Sequence, residues 1–178
     1  GVEPFLLMSW DDPGKTSACL DRLKEVTVAF GQAQIDAGAD ALTLPDHATG
    51  DLVSGEYYRR FLFEIHRECS ERLRVPLILH ICGRTIDRLD AIAQTGMAAF
   101  HFESKNDPEE AVAIAAGRIA LVGNLNNPET LLHGGSREVD QAVRRSLDAG
   151  VDLVAPECAI PLDTPVENLK AIPRSVAG

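Results

Sequence analysis

Pro76-Leu77-Ile78-Leu79-His80-Ile81-Cys82-Gly83 is the stretch from which the rest of this chain can be read. Leu77, Ile78, Leu79 and Ile81 make an apolar run of strand length, opened by a proline and closed by a glycine. Side chains alternate along a strand, so His80 and Cys82 share a face. An imidazole and a thiol two residues apart on one face can bind a single zinc ion. A buried histidine or cysteine is more often a packed core residue, so the pair takes its meaning from what surrounds it.

Similar strands recur on both sides. Asp36-Ala37-Gly38-Ala39-Asp40-Ala41-Leu42-Thr43-Leu44-Pro45 resembles Asp148-Ala149-Gly150-Val151-Asp152-Leu153-Val154-Ala155-Pro156, and Gln94-Thr95-Gly96-Met97-Ala98-Ala99-Phe100 is a looser copy. Each joins a helix end, a capping glycine and an apolar strand. Strands are expected over 5–10, 41–46, 76–82, 98–103, 119–124 and 151–156. Helices are expected over 16–37, 55–73, 86–94, 107–117 and 136–149, with a last one near 164–172 opened by a Thr164–Glu167 capping box. This alternation is the pattern of a parallel sheet with helices outside it.

The strand ends choose the architecture. Trp10, Asp46, Cys82, Glu103 and Asn124 close five strands, and Cys158 lies just beyond the sixth. Polar and metal-binding types therefore collect at carboxyl ends, where a (β/α)8 barrel builds its active site. A doubly wound sheet would carry a glycine-rich fingerprint after its first strand, and none is present. Gly14-Lys15-Thr16 is not a phosphate loop, because Ser9 stands where that motif needs glycine. The expected fold class is α/β, a (β/α)8 TIM barrel. As a single domain over 1–178, the chain supplies about the last six βα units. Six units do not close the barrel. The missing strands come either from amino-terminal units of a larger protein, cut at the first strand, or from another copy in a homo-oligomer.

The bulk composition narrows the partners. Of 178 residues, 45% are hydrophobic and 25% charged, ordinary values for a globular chain that can bury a core. The formal charge is −10 with no basic cluster, which argues against nucleic acid or an anionic membrane surface as partner. No apolar run approaches the roughly 18 residues of a membrane span, and no signal peptide opens the chain. Cys19, Cys69, Cys82 and Cys158 lack the spacing of a disulfide scaffold. They read as reduced cysteines of a cytoplasmic protein, used for metal binding or burial.

In a barrel, His80, Cys82, Glu103 on the next strand and Cys158 would converge on one mouth. Two thiolates, an imidazole and a carboxylate suit tetrahedral zinc. Residue by residue the plainer readings stand beside this one: Glu103 as a surface acid, Cys158 as a small core residue.

Three pieces of the sequence resemble a known family. They are His80-Ile81-Cys82-Gly83, Gly123-Asn124-Leu125-Asn126-Asn127-Pro128, and Pro156-Glu157-Cys158-Ala159-Ile160-Pro161-Leu162-Asp163-Thr164-Pro165-Val166-Glu167-Asn168. They look like the uroporphyrinogen decarboxylase superfamily, and most like its zinc-dependent methyltransferases, over nearly the whole chain. Those enzymes move a methyl group from the methylcobamide of a corrinoid protein to coenzyme M. The resemblance implies zinc ligands at His80, Cys82 and Cys158, with Glu103 as an exchangeable fourth ligand that the substrate thiol displaces. It implies that zinc lowers the pKa of that thiol, whose thiolate attacks the methyl group on cobalt. Asp46 and Asn124 become candidates to contact the corrinoid, and Arg84 to pair with an anionic acceptor such as a sulfonate. Tetrahydrofolate or another acceptor is open to bacterial relatives. A tetrapyrrole decarboxylase, or a non-catalytic fragment with a structural zinc site, are the alternatives.

The remaining candidates have simpler expectations. Cys19 and Cys69 face the core from helices. His101 shares the Glu103 face, as a core histidine or as a residue that orients a ligand. His47 is a loop residue that could line the mouth. His66 and His133 read as surface residues. Trp10 packs at the mouth or stacks on the corrinoid.

Overall fold

The chain opens on helices, not on a strand. Residues 5–10, expected as the first strand, lie inside α1 (Val2–Asp11). A short apolar run has no period that separates a strand from a helix, and the deciding residues come after it. Asp12 caps α2 (Pro13–Asp36), its carboxylate accepting from the Lys15 N–H at 2.9 Å. Pro13 takes the first turn, where a missing N–H costs nothing. No loop remains between the two elements, and α1 packs back on α2. Trp10 is 86% exposed, so it is not packed in the interior.

The computed structural model describes residues 1–177. After α2 the alternation runs β1 (Leu42–Asp46), α3 (Gly55–Phe61), α4 (Phe63–Arg72), β2 (Leu77–Ile81), α5 (Ile86–Ile92), β3 (Ala99–His101) and α6 (Pro108–Ala115). It continues with β4 (Ala120–Leu125), a π-type turn (Asn127–Leu132), α7 (Ser136–Ala149), β5 (Leu153–Pro156) and α8 (Val166–Ala177). The helix expected over 55–73 is thus two, broken at Leu62. Thr164 does not cap α8: its buried hydroxyl has no hydrogen-bond partner among the described residues. The repeated glycines act as expected, Gly38 and Gly150 taking φ of +100° and +93° at helix ends.

The five strands form one parallel sheet in chain order. Leu42, Leu44 and Asp46 of β1 lie beside Leu77, Leu79 and Ile81 of β2. This face meets the helices. Its core joins Leu77, Leu79, Ile81, Phe100 and Leu121 to Tyr58, Phe61, Leu89 and Ile92. A second cluster, Leu125, Leu131, Val139, Val143 and Ala171, binds the π-type turn to α7 and α8. The opposite face carries His80 beside His101, and His101 beside Val122.

The sheet is curved like a barrel wall. From β2 to β5 are three strand steps, about 14 Å in a flat sheet. Yet the Cys82 sulfur at the end of β2 lies 3.4 Å from that of Cys158 after β5. The fold is the expected α/β class, an arc of a (β/α) barrel, with five strands in place of six. Among the described residues no helix is long and apolar enough to cross a membrane.

Candidate metal centre

Curvature brings three soft ligands to one point. The ligand atoms of His80, Cys82 and Cys158 all lie within 4.8 Å of one another. The Cys82 sulfur is 3.2 Å from His80 Nε2 and 3.4 Å from the Cys158 sulfur. All three residues are half-buried. Burial, and next the Cys158 and Glu103 groups, push the Cys82 thiol up to about 12. Burial, with His101 alongside, holds the His80 imidazole below its ordinary value, so the ring is neutral near pH 7.

Backbone partners orient the histidines. His80 Nδ1 lies 3.3 Å from the His101 carbonyl, an oxygen that can only accept, so the proton belongs on Nδ1 and the Nε2 lone pair faces the sulfurs. His101 itself donates from Nε2 to the Pro156 carbonyl at 2.8 Å, tying β3 to the end of β5 two residues before Cys158. The two rings pack at 4.5 Å between centroids. His101 therefore orients a candidate ligand, through its backbone, and is also a satisfied interior histidine.

Gly83 lets the 47–53 loop pack directly against the chain after β2. Its φ is +74°, and a Cβ there would meet the Thr49 hydroxyl at 2.5 Å. The 47–53 loop is held from below by Arg88, wholly buried, whose guanidinium donates to the Ala48 carbonyl and, at 2.7 Å, to that of Val53. Gly50 N–H adds a bond to the Arg84 carbonyl at 2.8 Å.

The other expected site residues divide. Glu103 stands beside the group, where its carboxylate disfavours the Cys82 thiolate and favours charged His80. It is not one of the three residues whose ligand atoms meet within 4.8 Å. Arg84 is exposed directly after the ligand strand. Asp46 shares its face with Ile81, not with His80. Its carboxylate accepts from Ala48 N–H at 2.9 Å and meets His66 Nε2 at 3.0 Å. Asn124 is buried, its amide donating to the Asn106 carbonyl at 3.0 Å and its oxygen 3.4 Å from the Ser146 hydroxyl.

His66 corrects its expectation. It is 3% exposed and lies between Asp46 and the Tyr58 hydroxyl, the latter 2.9 Å from Nδ1. Leu62, His66 and Cys69 are all buried, at spacings of four and three, so the helical period carried the signal. Cys69 is buried as expected, Cys19 is half-buried, and His47 and His133 are exposed. Sequence reading also missed three buried polar residues at the mouth, Arg88, Asn106 and Glu157. Most of their partners are far away in the chain, Ala48 and Val53 for Arg88, Gly83 for Asn106, Ser104 and Asn127 for Glu157, so no local pattern announces them.

The chain has known relatives in sequence and in fold. The chain is 32% identical over 173 residues to methylcobamide:CoM methyltransferase MtaA of Methanosarcina barkeri, covering 96% of this chain and 51% of that protein. It is 31% identical over 176 residues to a methylated-thiol–coenzyme M methyltransferase of Methanosarcina mazei, covering 98% and 48% respectively. The structure superposes on a solved methyltransferase from Methanosarcina mazei with a TM-score of 0.94 at 29% identity, over 98% of this chain and 52% of that one. The chain thus spans about half the length of these relatives. The uroporphyrinogen decarboxylase (URO-D) family pattern matches all of residues 1–178, and the chain belongs to that family.

Proposed function

We propose that this chain forms part of a methyltransferase that moves a methyl group from the methylcobamide of a corrinoid protein to a small thiol such as coenzyme M. A zinc ion would be held by His80, Cys82 and Cys158. One observation carries the reading: three soft donors meet at one point although Cys158 stands 76 positions from Cys82. One imidazole and two thiols with a further position open is the donor set of a catalytic zinc site. When bound, zinc supplies Lewis acidity that keeps a coordinated substrate thiol as thiolate at neutral pH.

The chain's own residues do the rest. His80 presents a neutral Nε2, fixed by the His101 carbonyl. Cys82, whose thiol is held protonated by burial and by its neighbours, would release its proton to solvent when a cation binds its sulfur. Glu103, which stands beside the three donors, would be the exchangeable fourth ligand that a substrate thiol displaces. Arg84 is placed to pair with a sulfonate on the substrate. Asp46 and Asn124 support the mouth through the backbone they hold, because their polar atoms already have protein partners.

The test is metal content per chain, with Cys158→Ser beside the parent, followed by methylation of coenzyme M from methylcobalamin. About one zinc in the parent, little in the variant and metal-dependent thioether formation support the reading. A folded parent without metal removes it. Zinc that never exchanges with an added thiol leaves a structural site instead.

A further inference from the structure

We propose that Glu157 is a positioning residue for the metal centre: its buried carboxylate locks together the three loops that bring Cys158 and Glu103 to the mouth. The inference rests on the metal-centre reading above and adds a residue to it. Glu157 is 7% exposed and immediately precedes Cys158. One carboxylate oxygen accepts from the Ser104 N–H at 2.9 Å and from the Ser104 hydroxyl. The other accepts from the Asn127 N–H at 2.9 Å. Its own N–H donates to the Leu125 carbonyl at 2.9 Å.

These bonds span three neighbouring segments. Ser104 follows Glu103 after β3, Asn127 opens the turn after β4, and Glu157 lies after β5. The frame continues on both sides. Asn126 Nδ2 donates to the Ser104 hydroxyl at 2.9 Å, and Asn127 Nδ2 to the Ala159 carbonyl at 2.9 Å, one residue past Cys158. Asn106 Nδ2 donates to the Glu103 carbonyl at 3.0 Å and to the Gly83 carbonyl at 2.8 Å. Glu103 is therefore next to a residue that Glu157 bonds, and Cys158 is next to Glu157 itself.

The choice of a carboxylate follows from donor counting. A buried charge destabilises a fold unless hydrogen bonds satisfy it, and here three donors do so. Only a group that accepts on both oxygens can receive all three. A glutamine would turn its NH2 toward either the Ser104 or the Asn127 N–H, and that segment would come loose.

The experiment measures the dissociation constant for Co2+ and Zn2+ and the thiolate-to-cobalt absorption of the chain. Glu157→Gln raises the dissociation constant about 10- to 100-fold, the usual consequence of losing a group that orients a ligand. It also lowers the thiolate-to-cobalt band as Cys158 leaves its place. Ser104→Ala, which removes one donor, raises the constant about fivefold. Leu73→Ala, a core change beside Gly31 and Leu42 at the amino end of the strands, destabilises the fold but leaves the constant within twofold of the parent. Glu157→Gln with parental affinity and spectrum overturns the proposal, and so does Leu73→Ala with an equal loss of affinity. Should Glu157→Gln not fold, Ser104→Ala decides, and parental affinity there overturns the proposal. A parent that binds neither metal overturns the metal-centre reading itself, before any substitution enters.

Discussion

The carboxyl ends of β1 and β2 lie side by side, and each holds a histidine with an acidic or soft partner. At β1, Tyr58, His66 and Asp46 form a chain in which every link is a protein hydrogen bond, 2.9 Å and then 3.0 Å long. At β2, the Cys82 sulfur meets His80 Nε2 and the Cys158 sulfur, with the Glu103 carboxylate alongside. The register places Asp46 beside Ile81 on the helix-facing side, while His80 lies on the inner side. Strand alternation alone separates them. The same kinds of side chain make a closed structural network on one face and an open donor set on the other. The candidate metal centre differs from the closed network in that its donor atoms face one another.

The strongest way to break this contrast is to remove a sulfur. Cys82→Ser is expected to weaken zinc binding by on the order of a hundredfold or more, a fraction of the roughly 10–16 kcal/mol that structural zinc sites carry. Metal analysis after dialysis checks it; stoichiometric zinc in the variant would place the ion elsewhere. Next comes pH. With the Cys82 thiol pushed up to about 12, binding must release at least that proton near neutrality. The metal dissociation constant should fall about tenfold per pH unit between about 6 and 8. Competition with a chromophoric chelator measures the slope, and a flat profile would mean that Cys82 is not a ligand.

The closed network makes the opposite predictions. His66→Ala should cost about 2–3 kcal/mol in urea unfolding, from lost packing and two broken buried hydrogen bonds, with zinc stoichiometry retained. Loss of zinc with no loss of stability would reverse the two regions' roles. A smaller effect concerns acid. Burial alone would raise the Asp46 carboxyl, but the His66 hydrogen bond and charge and the Ala48 N–H outweigh it and hold the group low. A carboxyl depressed on folding stabilises above its unfolded value of about 3.9, and that stability is lost as pH falls through the folded value. The difference in urea midpoint between the parent and Asp46→Asn should be widest near neutral pH and close below about pH 4. Smallest of all, Lys105→Ala breaks an exposed pair with Asp51 at 3.1 Å and should cost under about 1 kcal/mol. A larger loss would show that the 47–53 loop depends on that pair.

Much of the arc was legible in sequence because its signals are local. The apolar run 77–81, the glycines at helix ends and the Asp107-Pro108 start of α6 each act within a turn or a strand. The meeting of His80, Cys82 and Cys158 followed from two such facts, alternation along β2 and a shared carboxyl end. The first strand failed because residues 5–10 hold no period, and the evidence against it lay in Asp12 and Pro13 beyond the run. Leu62 gives no sequence sign of the break between α3 and α4. Glu157 was unreadable for a different reason: its partners lie 53 and 30 positions away, and only the folded sheet brings them near.

The 76 positions between Cys82 and Cys158 have a consequence for the whole arc. An ion bound to both sulfurs is a staple across a large ring of chain, one that contains β3, β4, β5 and the helices between them. By the loop-entropy relation, a permanent closure of that length withholds about 4–5 kcal/mol of freedom from the unfolded chain. Chelation should therefore loosen far more than the mouth. An ion held there would be a girdle that keeps β2 and β5 from unrolling.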